Sequence, residues 1–228
     1  MFDSPSGGES QSRRLPIYLL LDTSGSMSGA NIQAVNVGVR MLYDELMKDP
    51  MAIETVFISL ITFDSEVKQL MPLTPITQFT PPQLKAYGGT SLGGALKMLN
   101  DKLDTEVISN APDRKGDYKP LIFLMTDGRP TDTWEPAANT IRSRPKQKVA
   151  TIIALGCGGA GVVDENILRR VADHVLLMEN VSADQITQFF KWVSQSVSTA
   201  SKSAQMAAGD QEAVAELSAP PEGIKIII

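Results

Sequence analysis

The chain has 228 residues, 43% of them hydrophobic, and this length suits one α/β domain followed by a tail. Its 21 basic and 26 acidic side chains give a formal net charge of -5, which argues against nucleic-acid binding because nucleic-acid binders usually present a basic surface. A single cysteine excludes an internal disulfide, and no segment has the apolar length of a signal-peptide core or a membrane span, so we expect a cytoplasmic protein.

Short apolar runs along the chain predict the strands of one sheet. Continuous apolar stretches are typical of strands that are covered on both faces. A more polar run, residues 66–71, follows the second stretch through a turn and predicts a short edge strand. The five apolar runs are residues 15–21, 54–63, 120–126, 149–155 and 174–179.

Helical patterns separate these strands. Apolar residues recur with a period near 3.6 in three segments, as expected for helices that pack one face against a core. Alternating strands and helices imply an α/β fold with a mostly parallel sheet covered on both faces. In such folds the ligand site lies beyond the carboxyl ends of the strands. The three apolar stripes are Ile32, Val35, Val39, Leu42 and Leu46; Leu92, Leu96, Leu99 and Leu103; and Ile186, Phe189, Val193 and Val197.

Loops with many side-chain oxygens lie at the predicted carboxyl edge of this sheet. The sequence DTSGS, residues 22–26, follows the first strand, and TDG, residues 126–128, follows the fourth. The sequence YGGTS, residues 87–91, precedes the second helical stripe. In the first loop Gly25 supplies the backbone freedom that a tight turn needs, so alternate side chains can point at one centre.

These loops offer the ligands of a hard divalent cation. Asp22 provides a carboxylate, and Ser24 and Ser26 provide two hydroxyls. An all-oxygen site with few carboxylates suits Mg²⁺, which is bound octahedrally and keeps several waters. The alternative is structural, because Asp, Ser and Thr are also favoured at helix N-caps and in turns. On this alternative Thr90 caps the next helix and Asp127 starts a turn.

Three motifs, LLLDTSGSM, GGTSLGGAL and FLMTDGRPTD, resemble the loops of a von Willebrand factor A (VWA) domain with an intact metal-ion-dependent adhesion site (MIDAS). The resemblance covers about residues 15–198. It implies a Rossmann-like, doubly wound, mostly parallel six-stranded sheet with one short antiparallel edge strand and helices on both faces. It also implies a site for Mg²⁺ (or Mn²⁺). The ligands carried over from the family are Asp22, Ser24, Ser26, Thr90 and Asp127.

Protein recognition is the function that this resemblance implies. Three of the five ligands are neutral, so a Glu or Asp side chain of a protein partner can complete the coordination of the ion. We expect residues 1–14 to be a flexible N-terminus, residues 15–199 the VWA domain and residues 200–228 a C-terminal tail. More narrowly, RRLPIYLLLDTSGSMSG and GGTSLGGAL resemble TerY-type proteins of bacterial tellurium-resistance and stress operons, which are associated with a kinase and a phosphatase.

An enzymatic alternative starts from the same aspartate. In phosphotransferases and phosphatases of the haloacid dehalogenase type, an aspartate after the first strand attacks phosphorus with Mg²⁺ nearby. Those sites need a second acid or base two residues later, where this chain has Ser24, and a positioned lysine, which no suitable loop supplies. The chain also lacks GxxxxGK[ST], the phosphate-binding loop of many ATPases. Because Asp22 has no candidate base beside it, we expect a protein without enzymatic activity.

Other motifs have a structural interpretation as well as a functional one. Residues 156–161, GCGGAG, match the GxGxxG pattern of dinucleotide sites, with Glu179 as the ribose ligand, but they follow a late strand and we expect a flexible loop. Asp64 and Asp132 are expected in turns, Asp132 near enough to Asp127 to tune the rim. The terminal IKIII either adds to a sheet edge or docks on a partner.

Overall fold

The computed structural model describes residues 13–144, 150–158, 162–179, 181–206 and 219–227. Within these residues the chain alternates strands and helices, as the sequence predicts. The strands are β1 (Leu15–Asp22), β2 (Val56–Phe63), β3 (Val67–Pro75), β4 (Leu121–Thr126), β5 (Thr151–Cys157), β6 (His174–Met178) and β7 (Ile224–Ile226). The helices are α1 (Ala30–Leu46), α2 (Pro50–Thr55), α3 (Leu92–Thr105), α4 (Glu135–Arg142), α5 (Glu165–Val171) and α6 (Ala183–Met206).

One sheet joins all of these strands, in the order β3-β2-β1-β4-β5-β6-β7. The five central strands, β2, β1, β4, β5 and β6, are parallel to one another. The edge strands β3 and β7 are each antiparallel to their neighbour. The mostly parallel α/β fold is therefore confirmed. The sheet has one strand more than the six expected, and the edge strand β3 is nine residues long rather than short.

Helices cover both faces of the sheet, so the two faces belong to two apolar cores. In β1, Ile17 and Leu19 face the core under α1 and α6, whereas Tyr18 and Leu20 face the core under α3, α4 and α5. All side chains of the three predicted apolar stripes are buried. The short helices α2 and α4 were not predicted. The helix α2 has only six residues, and α4 buries only Ala138 and Ile141, so neither shows a long periodic pattern.

The seventh strand comes from the C-terminal tail. Residues 224–226 pair with β6, with Ile224 opposite Met178, and Lys225 lies 2.7 Å from a carboxylate oxygen of Glu179. Ile224 is 5% exposed because its side chain packs into the core under α6. Of the two interpretations of IKIII, the structure therefore favours the sheet edge, although residue 228 lies outside the described residues.

The predicted division into an N-terminus, a domain and a tail stays a prediction. Residues 1–12 and 207–218 lie outside the described residues, and α6 continues to Met206, past the proposed boundary at 199. At the other boundary, Arg14 forms a salt bridge with Asp117. Among the helices described above, none combines the length and apolar character needed to cross a membrane.

Candidate metal centre

The sheet brings the loops after β1 and β4 together, because these strands are neighbours and run in the same direction. Asp22 is the last residue of β1, and Asp127 directly follows β4. The loop before α3 is bound to the loop after β1, since the amide of Gly25 donates to the carbonyl of Gly88 at 3.0 Å and that of Tyr87 donates to the carbonyl of Thr23 at 2.9 Å. It is bound to the loop after β4 by the amide of Thr131, which donates to the carbonyl of Thr90 at 2.9 Å. The three predicted loops thus form one rim.

A chain of short oxygen contacts crosses this rim. The hydroxyl oxygens of Ser24 and Ser26 lie 3.0 Å apart, and the Ser26 hydroxyl donates a 2.6 Å hydrogen bond to Oδ1 of Asp127. Ser24 is buried, whereas Ser26 is exposed to solvent. Gly25 lies between the two serines without a positive φ, so the backbone freedom expected of it is not needed for this turn. A Cβ atom built on Gly25 would make an ordinary contact, 3.4 Å from the carbonyl oxygen of Gly88.

Thr90 and Ser26 both lie near Gly128 on this rim. A Cβ atom built on Gly128 would lie 3.1 Å from the Thr90 hydroxyl oxygen and 3.9 Å from that of Ser26. Thr90 is 5% exposed and does not cap α3, since the carboxylate that accepts hydrogen bonds from the first turn of that helix is Asp132. The capping role suggested as the alternative for Thr90 is therefore wrong.

Asp22 forms the base of the centre. It is 1% exposed, and its two carboxylate oxygens accept hydrogen bonds from the amide of Ser24 at 2.8 Å and from the hydroxyl of Thr126 at 2.6 Å. Burial raises the pKa of Asp22, and the negative charge of Asp127 adds to this, against the lowering effect of the bonds from Ser24 and Thr126. Burial also raises the pKa of Asp127, against the hydrogen bond from Ser26. A cation bound near these two carboxylates would favour their ionised forms.

The family assignment follows from comparison with known proteins. The family model of the von Willebrand factor type A domain matches residues 17–192 of the chain. The chain belongs to this family. Human inter-alpha-trypsin inhibitor heavy chain H4 is 28% identical to it over 201 residues, which are 81% of this chain and 20% of the human protein. The chain thus spans only a small part of the length of this relative.

Solved structures of other proteins share the fold. A von Willebrand factor type A protein from Catenulispora acidiphila superposes with a TM-score of 0.60 at 19% identity, covering 82% of this chain and 43% of the bacterial one. Proximal thread matrix protein 1 from the mussel byssus, in a form with a zinc-occupied MIDAS motif, superposes with a TM-score of 0.56 at 21% identity. That match covers 79% of this chain and 47% of the mussel protein.

The donor set of this VWA domain fits a hard divalent cation. Oxygen ligands about 2.05 Å from an octahedral Mg²⁺ lie about 2.9 Å from their neighbours, and the 3.0 Å between the Ser24 and Ser26 hydroxyls is close to that spacing. Among the residues that the structure describes, no group of three or more His, Cys, Asp or Glu side chains could hold a metal ion. A site built from these loops therefore depends on its hydroxyls.

Asp64, expected as a turn residue, also connects two of the loops. Asp64 closes its turn by accepting the amide of Glu66 at 2.9 Å, yet it is 4% exposed and accepts a 3.3 Å hydrogen bond from the Thr23 hydroxyl. Its main-chain carbonyl accepts the amide of Ser91 at 2.8 Å. Asp64 thus joins the loop after β1 to the loop before α3, a role that burial rather than sequence spacing reveals.

The dinucleotide motif has no described binding geometry. Gly156 and Cys157 end β5, while residues 159–161 of the motif lie outside the described residues. Glu179, the residue suggested as a ribose ligand, is paired with Lys225 of β7. Cys157 is 1% exposed, and burial raises the pKa of its thiol well above the ordinary range, with Asp127 and Asp22 adding to the effect.

Proposed function

We propose that this VWA domain is a protein-binding module that holds one Mg²⁺ or Mn²⁺ and uses it to bind a Glu or Asp side chain of a partner. The residues proposed to hold the ion are Asp22, Ser24, Ser26, Thr90 and Asp127. The observation that carries the proposal is the continuous set of oxygen contacts from Ser24 through Ser26 to Asp127, with distances of 3.0 and 2.6 Å. A bound cation supplies a positive centre with coordination positions left for a carboxylate.

The burial of the ligands supports an approach from one side. Asp22 is 1% exposed and closes the base of the centre, whereas Ser26 is exposed. A partner therefore reaches the centre at the Ser26 side of the rim. Three of the proposed ligands are neutral hydroxyls, so the two carboxylates do no more than neutralise a divalent ion. The centre therefore carries no excess negative charge that would repel an acidic side chain, and a carboxylate oxygen of a partner is a hard donor that can fill a remaining coordination position.

The donor chemistry supports Mg²⁺ or Mn²⁺ over zinc as the resident ion. The mussel relative has been solved with a zinc-occupied MIDAS motif, so a related fold accepts a divalent cation. Zinc sites in proteins are usually built with nitrogen or sulfur ligands, and the five residues proposed here provide oxygen alone. Hard cations prefer this donor set.

Calorimetric titration with Mg²⁺ and Mn²⁺ tests the ion site. Wild type should bind one ion per chain, and Asp22→Ala should abolish the heat of binding because it removes the charged base of the centre. Asp101→Ala is the matched control, since Asp101 is an exposed carboxylate near the far end of α3 and its loss changes the net charge equally. Equal heats from wild type and Asp22→Ala would overturn the site.

The partner is tested by affinity capture from the native host with Mg²⁺ and with EDTA. We propose, from the narrower resemblance to TerY-type proteins, that the partner is a kinase or a phosphatase of a cytoplasmic tellurium-resistance or stress system. Capture should depend on Mg²⁺ and should be lost in Thr90→Ala, a variant that removes one hydroxyl without removing a helix cap. Capture that persists in EDTA would contradict recognition through the ion.

Catalysis is not part of the proposal. Both carboxylate oxygens of Asp22 accept hydrogen bonds, and the side chain is 1% exposed, so it is poorly placed to attack phosphorus as in the haloacid dehalogenase mechanism. Purified protein should lack phosphatase and phosphotransferase turnover above background. Turnover in Mg²⁺ that disappears in Asp22→Asn would restore the enzymatic alternative.

A further inference from the structure

Asp132 lies in the loop after β4, five positions beyond Asp127, and its carboxylate reaches the first turn of α3. We infer that Asp132 is a positioning residue that fixes Thr90 relative to Asp127 and thereby sets the affinity of the ion site. The inference rests on the ion site proposed above. It assigns a role to a side chain whose oxygens are used by α3.

Three hydrogen bonds join the carboxylate of Asp132 to the start of α3. Oδ1 accepts the amide of Gly93 at 3.0 Å, and Oδ2 accepts the amide of Gly94 at 2.9 Å and the hydroxyl of Ser91 at 2.8 Å. The first amides of a helix have no partner within the helix, so this carboxylate acts as an N-cap supplied by a different loop. Ser91, the residue at the N-cap position itself, makes no capping bond with its own side chain.

Thr131 extends the connection to Thr90 itself. The amide of Thr90 donates to the Thr131 hydroxyl at 3.1 Å, and the amide of Thr131 donates to the carbonyl of Thr90 at 2.9 Å. The main chain of Thr90 is thus bound on both its donor and its acceptor side by the residue next to Asp132. Together with the three bonds to α3, these contacts hold the loop before α3 and the loop after β4 as one unit.

The second glycine pair of GGTSLGGAL makes room for this contact. A Cβ atom on Gly93 would collide with the main-chain carbonyl oxygen of Thr133, and one on Gly94 would lie 2.7 Å from the Ser91 hydroxyl oxygen. Neither glycine has a positive φ, so the requirement is space rather than backbone conformation. Glycine at both positions lets residues 132 and 133 approach the helix closely enough for the carboxylate to reach the amides.

The positions of the ligands in the fold explain why Thr90 needs these hydrogen bonds. Asp22 ends β1 and Asp127 follows β4, so the sheet itself fixes their separation. Thr90 precedes a helix, and no strand ends beside it in the chain. Its place in the centre depends on contacts from other loops. Groups that orient metal ligands in this way typically change metal affinity about 10- to 100-fold when they are removed.

The test compares ion affinity with local order in the absence of an ion. Mg²⁺ and Mn²⁺ titrations are carried out on wild type, Asp132→Ala and Asp132→Asn, and amide hydrogen exchange is measured in EDTA. Asp132→Ala should weaken ion affinity about 10- to 100-fold and speed exchange at Thr90, Gly93 and Gly94. Asp132→Asn keeps one acceptor oxygen, so it should lose less ion affinity. If the alanine variant does not fold, the same comparison is made with Asp132→Asn.

Asp49→Ala is the matched control. Asp49 also caps a helix, accepting the amide of Met51 at 3.0 Å at the start of α2, and its removal changes the net charge equally. Because α2 leads into the amino end of β2, away from the rim, this variant should keep wild-type ion affinity. A folded Asp132 variant with wild-type affinity, or an equal loss in Asp49→Ala, overturns the positioning role. Wild type that binds neither ion overturns the ion site itself, and the inference with it.

Discussion

The Ser26 hydroxyl donates a 2.6 Å hydrogen bond to Asp127, although 101 residues separate the two in sequence. The contact exists because β1 and β4 are neighbouring parallel strands whose carboxyl ends open onto the same rim. The proposed ligands are therefore assembled only when the sheet has formed. Ion binding should accordingly stabilise the folded state, as expected for a ligand that binds the native chain and not the unfolded one.

Thr126 is predicted to matter for both stability and ion binding. Thr126→Val removes the hydroxyl that donates to Asp22 at 2.6 Å and leaves a buried carboxylate oxygen without that partner. We expect the free energy of unfolding in EDTA to fall by about 1–3 kcal/mol. Ion affinity should fall about 10- to 100-fold, because the orientation of Asp22 is lost. Urea unfolding and calorimetry measure the two effects.

Thr55→Val is the control for that substitution. Thr55 is also fully buried, and its hydroxyl contacts the carbonyl of Met51 at 2.8 Å and the hydroxyl of Ser201 at 2.7 Å. It lies at the amino end of β2, whereas the rim lies at the carboxyl ends of the strands. It should lower the free energy of unfolding to a similar extent and leave ion affinity unchanged. If the two variants bind Mg²⁺ equally well, Thr126 does not position Asp22 for the ion.

Asp127 is predicted to destabilise the ion-free domain. Burial raises its pKa, and its charge in turn raises the pKa of Asp22, so the two ionised carboxylates are held at a cost in free energy. In EDTA at neutral pH, Asp127→Asn should increase the free energy of unfolding by on the order of 1 kcal/mol, because an amide oxygen can still accept from Ser26. Adding Mg²⁺ should stabilise wild type and not the variant. A variant that is less stable in EDTA and equally stabilised by Mg²⁺ would refute this account.

The tail strand β7 is predicted to contribute to the stability of the domain. Ile224→Ala removes a side chain that is 5% exposed and packed in the core, and should lower the free energy of unfolding by about 2 kcal/mol. Ile226 provides the control on the same strand, since it is 48% exposed and its alanine variant should differ from wild type by about 0.5 kcal/mol or less. Equal effects would mean that β7 does not dock in solution as described.

The main elements of the fold follow from local patterns in the sequence. The strands β1, β4 and β6 are apolar almost throughout, β2 is apolar apart from Ser59 and Thr62, and α1 has a regular buried stripe, so each is predicted within a few residues. The sequence does not decide whether the terminal IKIII forms a strand. Its three paired residues are too few to show a periodic pattern, and their pairing with β6 depends on tertiary contacts.

The proximity of Ser24 and Ser26 could be predicted from the sequence, whereas the contacts of Asp132 could not. The two serines are two positions apart in one tight turn, and their hydroxyls lie 3.0 Å apart, whereas their role as ligands stays a prediction. Asp132 contacts Ser91 across 41 residues, and its reach depends on the space above Gly93. No local pattern specifies such a contact, so a residue expected in a turn proves to hold two loops together.

The most direct test of the central claim is a crystal structure of the protein soaked in Mn²⁺, with an anomalous difference map calculated from data collected near the manganese edge. The account predicts one strong peak per chain, with the hydroxyl oxygens of Ser24 and Ser26 as neighbouring ligands and Thr90 and Asp127 facing the same ion directly or through water. A map with no peak at this rim, or with manganese bound only elsewhere on the chain, would contradict it.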